Sequence, residues 1–278
     1  MESAAFFQQL FSLEGQTAVV TGGSGALGSA MTHALARAGA RVAILGRRAE
    51  PCEQVAAAIR AAGGQALGLA CDVLDRAALE RAVEEIAAAL GPVDILVNAA
   101  GGNALQATTT SERPFFALES ESVAQVLGAN FTGTFQACQV FGRAMAGRGQ
   151  GCIVNIASMA ALRPLTRIPA YSAAKAAVIN FTQWLAVHLA QEYSPRLRVN
   201  AIAPGFFLTE QNRYLLLGAE SGAPTPRAQT ILAHTPLGRL GAADDLIGAL
   251  LWLVSPAASF VTGQVIAVDG GFAAFGGV

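Results

Sequence analysis

Thr17-Ala18-Val19-Val20-Thr21-Gly22-Gly23-Ser24-Gly25-Ala26-Leu27-Gly28 is the stretch that decides the fold. A short apolar run ends at Thr21, passes through glycines, and enters the periodic, alanine-rich segment Leu27 to Ala38, which reads as a helix. A strand that turns directly into a helix aims the helix's unpaired N–H groups and the positive end of its dipole at one spot. That spot suits a pyrophosphate. A tight turn needing only glycine's backbone freedom would look the same locally, so the pattern around it has to decide.

Working outward, short apolar runs recur at Arg41 to Leu45, Ala66 to Cys71, Ile95 to Asn98, Cys152 to Ile156, Arg198 to Ile202 and Val265 to Val268. Each is apolar enough for burial on both faces, as parallel strands require. Helical patterns separate them: Pro51 to Ala62, Ala77 to Leu90, Ser122 to Ala146, Ala170 to Gln191 and Ala243 to Leu253, with Gly39, Gly63, Gly91 and Gly147 placed as C-terminal stops. Strand and helix in alternation predict an α/β fold of Rossmann type. It is a doubly wound, seven-stranded parallel sheet with helices on both faces, formed by one domain over residues 1–278. Two stretches break the rhythm, residues 102–120 and 206–241. Both follow carboxyl ends of strands, where open α/β sheets bind ligands, so they are expected to be substrate loops.

Composition removes several function classes. Eighteen Lys and Arg stand against 19 Asp and Glu with no basic run, so the electrostatic footprint of a nucleic-acid binder is absent. No uninterrupted apolar run reaches the roughly 18 residues of a membrane span. The first residues, MESAAFFQQLFSLEGQ, carry acids and no basic signal-peptide start, so a cytoplasmic location is expected. Cys52, Cys71, Cys138 and Cys152 show neither CxxC nor Cys/His metal spacing, which predicts reduced thiols, no disulfide and no metal site.

Ser158, Tyr171 and Lys175 are the candidates for the chemistry, although tyrosine and lysine at this spacing are by themselves usually an amphipathic coincidence. Tyrosine and lysine four apart share one helix face, and an ammonium beside a phenol favours its ionisation, moving an acid/base toward neutral pH. Ser158 adds a hydroxyl for a carbonyl or alcohol oxygen. Around them, Asp72 follows the third strand where an adenine amino group could reach it, and Asn98-Ala99-Ala100-Gly101 ends the fourth with small residues that leave room for a ribose. The second strand ends in Leu45-Gly46-Arg47-Arg48, two guanidiniums where an acid would select a free 2′-hydroxyl. That favours NADP(H), with NAD(H) possible.

With these pieces in order, the chain from about Leu13 to its C-terminus resembles the short-chain dehydrogenase/reductase family. The resemblance implies that Tyr171 is the acid/base, that Lys175 lowers its pKa and holds the nicotinamide ribose, and that Ser158 orients the reacting oxygen. Asn130, in Ala129-Asn130-Phe131-Thr132-Gly133, matches a fourth catalytic position that holds a water linking the lysine to solvent. It further implies a cofactor held by Gly22, Ser24, Gly25, Leu27 and Gly28, by Arg47 and Arg48, by Asp72 and Val73, and by Asn98, Ala100 and Gly101. Tyr171, Lys175, Pro204, Gly205, Phe207 and Thr209 complete that set. Two departures stand out: Ala26 occupies a position that is usually glycine, and Ala99 one that is usually asparagine.

Within the family, the segments around Asn180 to His188, Arg198 to Arg213 and Ile231 to Pro236 are similar to the bacterial D-mannonate oxidoreductase (D-fructuronate reductase) subgroup. The implied function is NAD(P)-dependent hydride transfer between nicotinamide and a secondary alcohol or ketone of a sugar acid. Asn103, Arg163, Arg167, Gln211, Arg213 and His234 are the candidates for substrate contact, with surface ion pairs or caps as their plainer reading. Another polyol, a gluconate-like acid or a 3-oxoacyl substrate is the alternative, and a non-catalytic dinucleotide sensor a more distant one. The family also implies a homo-oligomer, usually a tetramer.

Overall fold

The computed structural model describes residues 2–209, 212–218 and 222–277. Seven strands, β1 (Thr17–Thr21), β2 (Arg41–Gly46), β3 (Ala66–Ala70), β4 (Ile95–Asn98), β5 (Gly151–Ile156), β6 (Leu197–Pro204) and β7 (Val265–Val268), form one sheet in the order β3-β2-β1-β4-β5-β6-β7. Every pairing is parallel. The helices are α1 (Glu2–Phe11), α2 (Ala26–Arg37), α3 (Ala49–Ala61), α4 (Arg76–Leu90), α5 (Ser120–Leu127), α6 (Gly133–Arg148), α7 (Met159–Leu162), α8 (Pro169–Glu192), α9 (Arg213–Leu216), α10 (Pro226–Ala233) and α11 (Ile247–Val254).

Alternation along each strand builds two cores. Val20, Ile44, Val97 and Val154 face Met31 and Leu35 of α2 and Leu250 and Leu253 of α11. Their neighbours Val19, Leu45, Leu96 and Ile153 face Ile86 of α4, Phe141 and Met145 of α6, and Phe181 and Leu185 of α8. Each large side chain buried in this way contributes roughly 1.5–3 kcal/mol, so a strand that is apolar at every position is used on both faces. The chain order reverses direction across the sheet between β1 and β4. A crevice opens there at the strand ends, the ligand position of such sheets.

Several expected boundaries move, for physical reasons. β3 and β7 are only half-buried, because they are the sheet's edges and lack a neighbour on one side. Gly147 is not a helix stop: α6 continues to Arg148 and ends at Gly149, whose φ of 67° supplies the left-handed cap. The single helix expected over Ser122 to Ala146 is interrupted by one π-helical turn, Gly128–Thr132. Residues 206–241 are not simply loop, since Thr225 caps α10 by accepting from the Ala228 N–H, with Pro226 in the first turn. The segment from Ala243 opens as a 3₁₀ turn to Leu246 before α11. α1 was not anticipated, and its Phe6 and Phe7 are exposed, so no buried apolar face announces it.

Candidate active site

The glycine turn lies on the β1 side of the crevice. Gly22 has φ 67°, and a Cβ there would sit 2.8 Å from Ala99 and Ala100 atoms beyond β4, so only glycine lets the two strand ends meet. A Cβ on Gly28 would come within 2.1 Å of the Gly22 carbonyl oxygen. Thr21 stitches the same junction: its carbonyl accepts from the Ala99 N–H and its hydroxyl from the Ala100 N–H. α2 begins at Ala26 after Gly25, which provides no side-chain cap, so the N–H groups at its start remain available to an anion. Ala26 is exposed and leads into the helix without disturbing it. This cradle fits a dinucleotide pyrophosphate. Ser24 and Leu27 lie in the same turn, partly buried.

Further along the crevice the expected contacts divide. Arg47 and Arg48 are exposed beyond β2, and neither forms an ion pair among the described residues. Asp72 is exposed past β3, its carboxylate accepting from the Leu74 N–H, while Val73 is buried and presses on Gly133. Ala100 and Gly101 line the strand end. Asn98 does not: its amide is buried, donating to Asn155 Oδ1 at 2.9 Å and Cys138 Sγ at 3.2 Å, because its place on β4 turns it toward α6 and α8. Its role is to join β4 to β5, and Asn155 in turn donates to Thr182 of α8. Sequence reasoning missed Asn155 and Thr182, although an asparagine inside the apolar run Cys-Ile-Val-Asn-Ile is a usable signal.

Past β6, Pro204 and Gly205 continue toward β7, with Gly205 N–H donating to the Val268 carbonyl. Phe207 is buried and lines a cavity with Phe206, Thr235 and Asp269. Asn212, another missed residue, fixes this segment by accepting from the Thr209 N–H and donating to the Phe207 carbonyl.

The four expected catalytic residues come from three elements. Ser158 caps α7, accepting from the Ala160 N–H, and Tyr171 and Lys175 lie one turn apart on α8. Lys175 Nζ is buried, donates to the Ile156 carbonyl at the end of β5 at 2.7 Å, and lies 5.7 Å from the Tyr171 ring centroid. Burial pulls its pKa down to about 8. Burial likewise pushes the Tyr171 phenol above its ordinary value, against the opposing effect of a hydrogen bond with the Ser158 hydroxyl. Desolvation outweighs that opposing effect, and the Lys175 ammonium donates to a backbone carbonyl.

Asn130 occupies the π-helical turn and is fully buried. Its amide donates to the Val126 carbonyl at 2.8 Å and the Gly102 carbonyl at 2.7 Å, and its Oδ1 accepts from the Gly102 N–H at 3.0 Å. Its own carbonyl accepts from the Thr134 hydroxyl.

The expected substrate residues scatter. Asn103 donates to the Thr108 hydroxyl, fastening the 102–120 loop. Arg163 Nε donates to the Ala273 carbonyl at 2.7 Å, tying α7 to the C-terminal segment. His234 shares a hydrogen bond with the Thr230 carbonyl and neighbours Phe272 and Phe275, so it packs the same segment. Arg213 is exposed at the start of α9, and Arg167 is exposed before α8. Gln211 lies outside the described residues. His33 and His188 stay within helices, His188 stacked on Trp184. Among the described residues no group of three His, Cys, Asp or Glu could hold a metal, and the four cysteines are buried free thiols. No described helix is long and apolar enough to cross a membrane.

The profile of the short chain dehydrogenases matches residues 16–217. The chain belongs to the short-chain dehydrogenase/reductase family. This dehydrogenase is 50% identical to the uncharacterised oxidoreductase UxuB of Bacillus subtilis, over 96% of this chain and 98% of that one. A Haemophilus influenzae protein provisionally named a D-mannonate oxidoreductase, solved with bound NAD, is 41% identical with a TM-score of 0.90, covering 96% and 98% of the two chains. A Beutenbergia cavernae protein provisionally named an NAD(P)-dependent gluconate 5-dehydrogenase, solved with NADP at low occupancy, is 38% identical with a TM-score of 0.83 over 95% and 99%. This dehydrogenase is accordingly an NAD(P)-dependent oxidoreductase acting on CH–OH groups.

Proposed function

We propose that the protein interconverts a secondary alcohol and a ketone on a sugar acid of the D-mannonate/D-fructuronate type. The observation that carries the chemistry is the convergence of Ser158, Tyr171 and Lys175 at the carboxyl end of β5, beside the β1–β4 crevice. The substrate class rests on the likeness to the Haemophilus protein.

A nicotinamide dinucleotide supplies the hydride and, in the other direction, accepts it. The Ser158 hydroxyl and the Tyr171 phenol hold the substrate oxygen. In reduction Tyr171 gives its proton to the oxygen that becomes the hydroxyl, and in oxidation it takes that proton back. A phenol kept protonated by burial is suited to the donor role. Lys175, held by the Ile156 carbonyl, keeps two ammonium hydrogens that would be available to a cofactor ribose. Asn130, in the π-helical turn beside the site, is the residue that would hold a water returning protons from solvent. Arg47 and Arg48, unpaired where a 2′-phosphate would lie, favour NADP(H). A single cytoplasmic domain assembled as a homotetramer belongs to the same reading.

The test mixes purified protein with NADPH or NADH and D-fructuronate and follows the absorbance of the reduced nicotinamide. Oxidation of the nucleotide is expected, and Tyr171→Phe should lower turnover by about 10²–10⁴-fold while cofactor binding persists. Turnover of polyols or 3-oxoacyl thioesters without fructuronate would replace the substrate assignment. Binding with no turnover across the panel would leave a sensor.

A further inference from the structure

Arg167 has no part in the chemistry above, yet its backbone is unusual. It stands in the connection between α7 and α8, four residues before Tyr171, with φ 72°. No other non-glycine residue among those described has a positive φ. An L side chain disfavours that region and glycine does not, so retaining arginine here is a strained arrangement. The Arg167 carbonyl accepts from the Thr109 N–H at 2.8 Å, which couples the α7–α8 connection to the 102–120 loop. These two segments border the site, one following Ser158 and the other following β4. The guanidinium of Arg167 is exposed and has no hydrogen-bond or ion-pair partner among the described residues. Nearby arginines are occupied with backbone, Arg163 on Ala273 and Arg113 on Leu105. Arg213 stands on ordinary helical backbone and raises no such question.

Strained backbone persists where the surroundings enforce it, and it gathers at ligand sites. A guanidinium is the side chain best matched to a carboxylate, which it grips with two parallel hydrogen bonds. We propose that Arg167 is the specificity residue that binds the substrate's carboxylate and selects acids over uncharged polyols. The inference rests on the sugar-acid reading.

The experiment compares kcat/KM for D-mannonate and D-mannitol in the parent protein and in Arg167→Gly, Arg167→Ala and Arg167→Lys, with melting curves for each. A lost hydrogen-bonded contact to a charged group corresponds to about one to two powers of ten, so the acid-to-polyol ratio should fall by about 10- to 100-fold in the Gly and Ala variants. The fall should appear in KM for the acid. Lysine, which keeps the charge but not the fork, should retain part of the preference. Arg167→Gly should also melt above Arg167→Ala, because glycine alone accepts the φ of 72°. A parent that prefers the acid and passes that preference unchanged to both the Gly and Ala variants overturns the role of Arg167 while leaving the sugar-acid reading intact. A parent that prefers mannitol overturns both. A ratio that falls only in variants with a lowered melting point would make Arg167 a structural residue and also defeat the proposal.

Discussion

Asn130 grips both polar atoms of the Gly102 peptide unit, accepting from its N–H at 3.0 Å and donating to its carbonyl at 2.7 Å. The same amide donates to the Val126 carbonyl one turn back in the helix. The π-helical turn brings this side chain inward, so a helix irregularity and the start of the 102–120 loop are one structural unit.

Asn130→Ala breaks three hydrogen bonds, one buried and two partly buried, and should cost about 2–4 kcal/mol in urea denaturation. Release of the loop should raise KM for substrate more than the Kd for NAD(P)H. Equal shifts in the two would place the residue's influence elsewhere.

Gly28 and Gly25 belong to one turn but differ in tolerance. A methyl on Gly28 would meet the Gly22 carbonyl at 2.1 Å, whereas one on Gly25 would meet it at 3.3 Å. Gly28→Ala should therefore displace the cradle and weaken NAD(P)H binding by about 100-fold, with a stability loss of about 1–3 kcal/mol. Gly25→Ala should be close to the parent in both. Fluorescence titration of the reduced nucleotide and thermal melts report the two effects separately.

Replacing Arg47 and Arg48 together by alanine should lower kcat/KM for NADPH by about 10- to 100-fold and change NADH little, since only the 2′-phosphate needs the guanidiniums. A uniform loss with both nucleotides would mean that they stack on adenine instead.

Lys175 makes stability depend on pH. Its folded-state pKa is pulled to about 8 from an ordinary 10.5, so between those values the unfolded chain binds more protons than the folded one. This contribution makes stability rise with pH across that window, and the penalty is fully present below about pH 8. Lys175→Met removes the penalty, so its stability relative to the parent should be most favourable below pH 8 and decline toward pH 10.5, by on the order of 3 kcal/mol. Denaturation curves of both proteins at a series of pH values would show it, and a constant difference would contradict it.

Much of this was legible in the chain before folding. The five central strands were visible because a strand covered on both faces must be apolar at nearly every position, as Val19-Val20 and Ile153-Val154 are. Gly22 and Gly28 were legible because backbone approaches of that closeness exclude any side chain. The direction of the Asn98 side chain was not legible, because sequence places a residue at a strand end without saying which face it turns to. Its register beside Asn155 sends it into the core. The π-turn at Asn130 was not readable either, since it depends on partners 4 and 28 residues away.

By itself the sequence determined the parallel α/β array, the phosphate cradle and the spacing of Tyr171 and Lys175, because these follow from local periodicity and from steric limits on single residues. Tertiary structure alone decided that Lys175 donates to Ile156, that burial raises the Tyr171 phenol, and that Arg167 takes left-handed backbone with its carbonyl bonded to Thr109. Each of these depends on how much water is excluded or on which distant backbone atom lies opposite, and neither quantity exists until the chain has packed.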